Sequence, residues 1–387
     1  MVSVLAWIIA APLSLALTVF TLETFFGLIA SKPIHVEGDQ PKTVVLMPAH
    51  DEASTISATL EQLMPVLSDR VRLLVVADNC SDQTAEIVRA HGHEVIERND
   101  RNHRGKGYAL AFGRDHLMQN PPKCVIVLDA DCTTDRQSVS HLSRYCLERS
   151  LPVQAQYVLN PDKLASPMVQ ISNFAFWVKN AVRQRGGQRM GAAALLTGTG
   201  MSFPWSLFEQ LPLATSNIVE DLGLTIYLTQ AGNAPLYLNQ ALIKSLAAGE
   251  QATLTQRTRW EHGFLSMARE YGLTSLLQGI GRTDHKLFQI GLHLMVPPVA
   301  LLFGVSFIGL GLTAVVAVLL GSALPFVLIF VPLVLAVVAI CLAWMFGGKR
   351  WIAGVTLLKL PVYLLWKIPV YFRLLRGQTA SWDRTER

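Results

Sequence analysis

Residues 287–346 contain no Asp, Glu, Lys or Arg. About 20 apolar residues cross a bilayer core as a helix, so the run is long enough for two passes. Gly321, Ser322 and Pro325 break it near the middle, and Lys286 and Lys349 flank it. A second almost uncharged stretch, 3–22, opens the chain, with Glu23 as its first acid. It lacks a basic lead, is too long for the apolar core of a secretory signal, and shows no clear small-x-small cleavage site. It therefore reads as an uncleaved anchor.

Apolar residues make up 51% of the 387 and the net charge is +5. The charge is local. From Lys349 onward Lys349, Arg350, Lys359, Lys367, Arg373, Arg376, Arg384 and Arg387 face only Asp383 and Glu386, which leaves the rest near −1. A basic juxtamembrane tail suits anionic lipid, and no nucleic-acid partner is expected. Lysine and arginine favour the cytoplasmic side, which puts Lys32, Lys42, Lys349 and the tail inside. Within 351–376, apolar Trp351, Leu357, Leu358, Val362 and Leu365 alternate with Lys359 and Lys367, predicting an interfacial amphipathic helix. A transporter is disfavoured because the apolar segments hold almost no ionisable residue. Cys80, Cys124, Cys132, Cys146 and Cys341 are an odd set without Cys-x-x-Cys spacing, which fits a reduced compartment and no zinc site.

Between the apolar regions strand and helix signals alternate. Strands are predicted at 43–47, stopped by Pro48, at 71–77, at 93–96 and at 124–128. Helices are predicted over 56–67, through Ala85, Ile87 and Val88, and over 108–117. Such alternation implies a parallel sheet covered on both faces. Ligands then bind beyond the carboxyl ends of the strands, where His50-Asp51-Glu52, Asp78-Asn79 and Asp129-Ala130-Asp131 collect. A helical block over 166–186 ends in Gly186-Gly187. The domain scheme is an anchor at 1–30, a catalytic domain at 31–285, a transmembrane hairpin at 286–348, and an interfacial helix with a basic tail at 349–387.

Each polar cluster has a plain reading and a chemical one. Asp129 and Asp131 at a strand end form a turn or cap, or else meet a divalent cation and a ribose. Asp78-Asn79-Cys80-Ser81-Asp82 is a cap-and-turn cluster, and Asp78 could accept the imide N–H of a uracil. Lys106, between Gly105 and Gly107, is a solvated loop charge or a nucleotide contact. Glu220-Asp221 favours a helix N-terminus, or supplies the general base that an attacking hydroxyl needs. Gln256, Arg259 and Trp260 share one helical face. Arg259 is a surface charge or a diphosphate partner, and Trp260 an interfacial anchor or a plate for a sugar. His50, His103 and His262 lack metal-ligand spacing and read as polar loop or core residues.

In sequence order these residues resemble the family 2 glycosyltransferases from about residue 43 to 262. The membrane segments are arranged as in the membrane-embedded, cellulose- and hyaluronan-synthase-like branch of bacterial polysaccharide biosynthesis. The residues that carry the resemblance are Pro48-Ala49-His50-Asp51-Glu52, Asp78, Lys106, Asp129-x-Asp131, Gly198-Thr199-Gly200, Glu220-Asp221 and Gln256-x-x-Arg259-Trp260. The resemblance implies an α/β, Rossmann-like GT-A domain with a mostly parallel sheet between N-terminal and C-terminal transmembrane helices. It implies inverting transfer of a hexosyl or N-acetylhexosaminyl group from a UDP-sugar, with Mg²⁺ or Mn²⁺, to a growing polysaccharide or lipid-linked glycan.

By position, Ala49, Glu52, Asp78, Lys106 and Asp129 carry over as nucleotide contacts, Asp131 as metal ligand and Asp221, beside Glu220, as base. Gly198, Thr199 and Gly200 carry over as an acceptor loop, and Gln256, Arg259 and Trp260 as the diphosphate and acceptor cover. Asp51 departs from the family, which often has Asn there. The large processive synthases have more membrane passes than the three expected here, which argues against secretion through a channel of its own. The implied setting is the bacterial inner membrane, with a cytosolic catalytic domain, membrane lipids and polysaccharide-export partners. The rival enzyme reading is single-step transfer to a polyprenyl phosphate, with Arg183, Arg185 and Arg189 available for the lipid phosphate. The rival from another class is an inactive partner subunit of a polysaccharide synthase.

Overall fold

The structure, a computed structural model, describes residues 2–217, 219–246 and 249–375. The tail from Arg376 to Arg387, with its share of the basic charge, lies outside the described residues. In chain order the elements are α1 (Val2–Leu28), β1 (Thr43–Ala49), α2 (Ile56–Leu63), β2 (Val71–Asp78), α3 (Thr84–Ala90), β3 (Glu94–Arg98), α4 (Lys106–Leu117), β4 (Cys124–Val127), β5 (Cys132–Thr134) and α5 (Arg136–Arg149). There follow β6 (Val153–Leu159), α6 (Pro167–Trp177), α7 (Gln184–Arg189), β7 (Met201–Pro204), α8 (Trp205–Phe208), α9 (Glu220–Gln230) and β8 (Leu236–Ser245). The last are α10 (Glu250–Gly281), α11 (His285–Leu294), α12 (Val299–Leu320), α13 (Leu324–Phe346), α14 (Gly354–Leu357) and α15 (Leu360–Leu375).

The chain divides into two compact units. One holds residues 31–160 and 193–248, and the other holds 1–30, 161–192 and 249–380. This does not coincide with a continuous catalytic domain at 31–285. The helices of 161–192 and 249–281 cluster instead with the apolar helices, because their own apolar side chains need helical partners.

The first unit is built on one eight-stranded sheet of order β3-β2-β1-β4-β7-β6-β8-β5. Strands β1 to β4 run parallel, while β7 is antiparallel to both β4 and β6, and β5 is antiparallel to β8. Their continuous apolar runs suit strands covered on both faces. Val44, Leu46, Leu74, Val76, Val125 and Val127 are fully buried against Leu110, Phe203 and Phe208. Burial of each such side chain contributes roughly 1.5–3 kcal/mol. The chain goes from β1 outward to β2 and β3, then returns to β4 on the other side of β1. That reversal opens a crevice at the carboxyl ends of β1, β2 and β4.

Pro48 does not stop β1, which continues to Ala49. Pairing with β4 ends at Leu46 opposite Val127, while pairing with β2 runs on to Ala49. Pro48 thus has a strand on one side only, where a missing N–H is tolerated.

In the second unit α1, α12 and α13 are long and apolar enough to cross a membrane. α1 packs against α12, α13 and α7. Outward residues such as Val318, 85% exposed, are apolar, as a lipid-facing surface requires. The run expected to hold only a hairpin also contains α11, separated from α12 by Pro297-Pro298. Gly186-Gly187 does not end the 166–186 block. The chain continues from α6 through the π-helical turn Val178–Arg183 into α7. A Cβ on Gly186 would lie 1.7 Å from the Glu23 carbonyl oxygen, so this glycine permits a close helix crossing rather than a stop.

Candidate active site

The carboxyl edge of the parallel strands gathers two groups of polar side chains. The first lies beyond β1 and β2. His50 Nδ1 is 2.7 Å from the Asp78 carbonyl oxygen. Asp51, at φ 53°, accepts from the Ser81 N–H at 2.6 Å. The Glu52 N–H donates to Thr84 Oγ1, and the Glu52 carboxylate accepts from Thr55. Asp78 is buried, and its Oδ1 accepts from Arg98 at 2.6 Å and from Asn79 at 3.0 Å. The turn reading of this cluster therefore holds, and Arg98 is a partner of Asp78 that the sequence did not single out. Arg98 sits twenty residues away on a neighbouring strand, where no local pattern marks it.

The second group lies beyond β4. Lys106, the first residue of α4, donates to the Asp129 carboxylate and, at 2.7 Å, to the Gly198 carbonyl. The lysine is thus a bridge between two loops rather than a solvated charge. Thr199 is fully buried, and its Oγ1 accepts from the Asp129 N–H at 3.1 Å. Buried Gln154, another residue not singled out, accepts from the Thr197 N–H and donates to the Thr199 carbonyl. The loop is therefore pinned from both sides.

Gly198 and Gly200 adopt φ of 80° and 66°, a left-handed conformation that glycine takes without steric cost. A Cβ on Gly198 would lie 3.3 Å from Lys106 Nζ and 3.4 Å from Asp221 Oδ2. That fixes Asp221 beside the same loop.

Glu220 and Asp221 form the first turn of α9. Burial, followed by the adjacent Asp221, pushes the Glu220 carboxyl up to about 8, against the pull of Lys106. Burial thus favours the neutral form of the Glu220 carboxyl. Burial works against the Lys106 ammonium, but Asp129 and Glu220 outweigh it and hold the lysine above its ordinary range.

Asp129, Asp131 and Cys132 offer ligand atoms within 4.8 Å of one another. Burial and the two carboxylates push the Cys132 thiol well up, and the protonated thiol donates to Asp131. Two carboxylates beside a neutral thiol fit a hard, oxygen-preferring divalent cation. Cys132 itself is not a ligand of that kind.

The segment Gln256–Trp260 belongs to the other unit, on α10. Gln256 is buried, and Arg259 and Trp260 are half-buried. The guanidinium of Arg257 lies 4.8 Å from the Trp260 ring and 4.6 Å from that of Phe176. One contact of the indole is thus internal. His262 is a core residue, with Nε2 2.8 Å from the Val370 carbonyl oxygen. Of the candidates for a lipid phosphate, Arg183, Arg185 and Arg189, the first and the last are engaged with α1. Arg183 pairs with Glu23 of α1, and Arg189 donates to the carbonyls of Phe26, Ile29 and Ala30 at the end of α1.

The mostly parallel sheet, with paired acids past β4 and a lysine-pinned glycine loop, is a GT-A-like arrangement. Residues 41–263 match the family described as glycosyltransferase like family 2, and the chain belongs to that family. It is 28% identical over 243 residues to the probable glycosyltransferase YdaM of Bacillus subtilis, across 58% of this chain and 55% of that protein. It is 28% identical over 125 residues to the poly-beta-1,6-N-acetyl-D-glucosamine synthase of Staphylococcus aureus, across 31% of this chain and 28% of that one. The chain thus spans about half the length of the first relative, and less of the second. The mannosyltransferase PcManGT of Pyrobaculum calidifontis, solved with GDP-Man and Mn²⁺, superposes with a TM-score of 0.57. That likeness covers 87% of this chain and 98% of that one at 16% identity, and is one of fold.

Proposed function

We propose that the protein is an inverting membrane glycosyltransferase that moves a hexosyl or N-acetylhexosaminyl group from a UDP-sugar to a growing polysaccharide or lipid-linked glycan. The observation that carries this reading is the Lys106 bridge, which joins Asp129 to the Gly198 loop with Asp221 beside it. The acceptor hydroxyl attacks the anomeric carbon from the face opposite the nucleotide, and Asp221 takes its proton. The bond to the diphosphate oxygen breaks, and the nucleoside diphosphate leaves with the electron pair. Lys106 and Arg259 stabilise the departing charge.

Asp131, with Asp129, is the set that would hold Mg²⁺ or Mn²⁺, and such an ion would neutralise charge on the diphosphate. Ala49, Glu52 and Asp78 receive the nucleoside, Gly198, Thr199 and Gly200 form the acceptor loop, and Gln256 and Trp260 complete the acceptor side. The catalytic domain works in the cytosol at the bacterial inner membrane, with lipid around α1, α12 and α13 and export partners for a polymeric product.

Transfer to a polyprenyl phosphate is the alternative reading; Arg183 and Arg189 already serve α1, which leaves Arg185 as its candidate for the lipid phosphate. The inactive-subunit reading is opposed by the complete set of acids and the paired lysine. The deciding experiment is nucleotide release by the purified chain from a panel of UDP- and GDP-sugars. Release from one UDP-sugar supports the reading, and release from none of them contradicts it.

A further inference from the structure

Helix α15 is turned inside out relative to a water-soluble amphipathic helix. Lys367 is fully buried, while Leu365, Ile368 and Phe372 are 65%, 42% and 56% exposed. The sequence predicts an interfacial amphipathic helix in which Lys359 and Lys367 alternate with apolar residues, but the structure puts Lys367 inward against α10. Its Nζ donates to Glu261 Oε1 at 2.6 Å, and Tyr371, one turn on, donates to Glu261 Oε2 at 2.9 Å. His262 meets the Val370 carbonyl on the same face of α15. Both oxygens of Glu261 are thus held, and Glu261 directly follows Trp260. Burial pulls the Lys367 ammonium below its ordinary range, and Glu261 opposes that pull. Burial and the same carboxylate push the Tyr371 phenol up, so it remains a donor.

A buried ion pair is weak evidence for stability. Well-packed apolar replacements are often as stable, and what such a pair supplies is direction. We infer that Glu261, Lys367 and Tyr371 are positioning residues that set the rotation of α10 at Arg259 and Trp260. They form a three-point clamp carried by a helix whose outward face is apolar. The catalytic half of this inference rests on the proposed transferase reading, but the structural half does not. Removing the charged donor and its carboxylate together leaves no orphaned charge, yet it releases the directional contacts. Small displacements of a positioned group cost roughly 10- to 100-fold in rate.

The test compares the full-length wild type with the double variant E261L/K367M in lipid nanodiscs. Three quantities are read: the unfolding temperature, amide hydrogen exchange across residues 256–262, and nucleotide release with acceptor. The expected result is an unfolding temperature like the wild type, several-fold faster exchange across that segment, and kcat lowered roughly 10- to 100-fold at unchanged donor KM. Unchanged exchange in a stable double variant overturns the clamp. Faster exchange with unchanged kcat overturns its role in the reaction. If that variant is unstable, E261Q/K367M, which keeps an acceptor for Tyr371, is read by the same criteria for the Lys367 contact. If the wild type releases nucleotide from no donor, the transferase reading fails, and the exchange comparison still decides the clamp.

Discussion

Lys106 and Asp129 form an ion pair at the carboxyl edge of the sheet. The pair joins the start of α4 to the loop after β4, and the same ammonium holds the Gly198 carbonyl. In the proposed reaction a cation fixed there would meet the diphosphate of the donor without reorganisation. Lys106→Met is expected to lower kcat/KM roughly 100- to 1000-fold, as loss of a preorganised donor does. Lys106→Arg should recover only part of that, because the planar fork does not fit the site of a point charge. Steady-state nucleotide release measures both. Wild-type turnover by Lys106→Met would leave the lysine as a strut.

Asp129 and Asp131 present their carboxylates within one small cluster. EDTA is expected to stop turnover, and Mg²⁺ or Mn²⁺ to restore it. Asp131→Ala should lose the metal-dependent rate without losing the fold, which circular dichroism checks. Full activity of that variant in chelator would remove the metal assignment.

Glu220 and Asp221 are expected to separate in their effects. Asp221→Asn keeps the shape but cannot accept a proton, and should cost about 100- to 10,000-fold with donor binding intact. Glu220→Gln mimics the neutral form that burial favours and should cost far less. The stability sign follows from linkage. The folded-state value, about 8, lies above the ordinary 4.5. Between those values the folded chain holds more protons than the unfolded one. The stability from Glu220 is full below pH 4.5 and is lost as pH rises through about 8. Thermal unfolding of the wild type should fall across that window relative to Glu220→Gln. Parallel curves for the two proteins would contradict the buried, protonated carboxyl.

Arg259 and Trp260 are expected to give different signatures in one assay that counts released nucleotide with and without acceptor. Arg259→Ala should damage both reactions, because the leaving diphosphate is common to them. Trp260→Ala should damage transfer more than hydrolysis. Equal losses for Trp260→Ala would make its contact with Arg257 the whole of its role, namely packing.

Topology is the last expectation. The basic flanks favour a cytoplasmic C-terminus. With one pass by α1 and two by α12 and α13, a reporter after Arg387 should read cytoplasmic and one at Met1 external. An external signal from the C-terminus would reverse the orientation.

Much of the sheet was legible in the sequence because β1 to β4 are short β-branched runs, the first three each followed by its own helix, and local pattern carries that information. The acids at Asp78, Asp129 and Asp131 stood out because each follows such a run directly. Pro48 and Gly186 misled for one reason. Their local meaning is a stop, but a one-sided strand tolerates the first and a crossing helix requires the second.

By itself the sequence determined the segments long and apolar enough to cross a membrane, the α/β alternation and the residue types of the candidate site, since each depends on neighbours within a turn or a strand. Tertiary structure decided the partners. It set Arg98 on Asp78, Lys106 between Asp129 and Gly198, Gln154 beneath the glycine loop, and Lys367 inward on Glu261. These pairs join residues 20 to more than 100 positions apart. No periodicity records such a separation. Burial then turned charges that look solvated in the sequence into paired ones, because a charge removed from water persists only beside its partner.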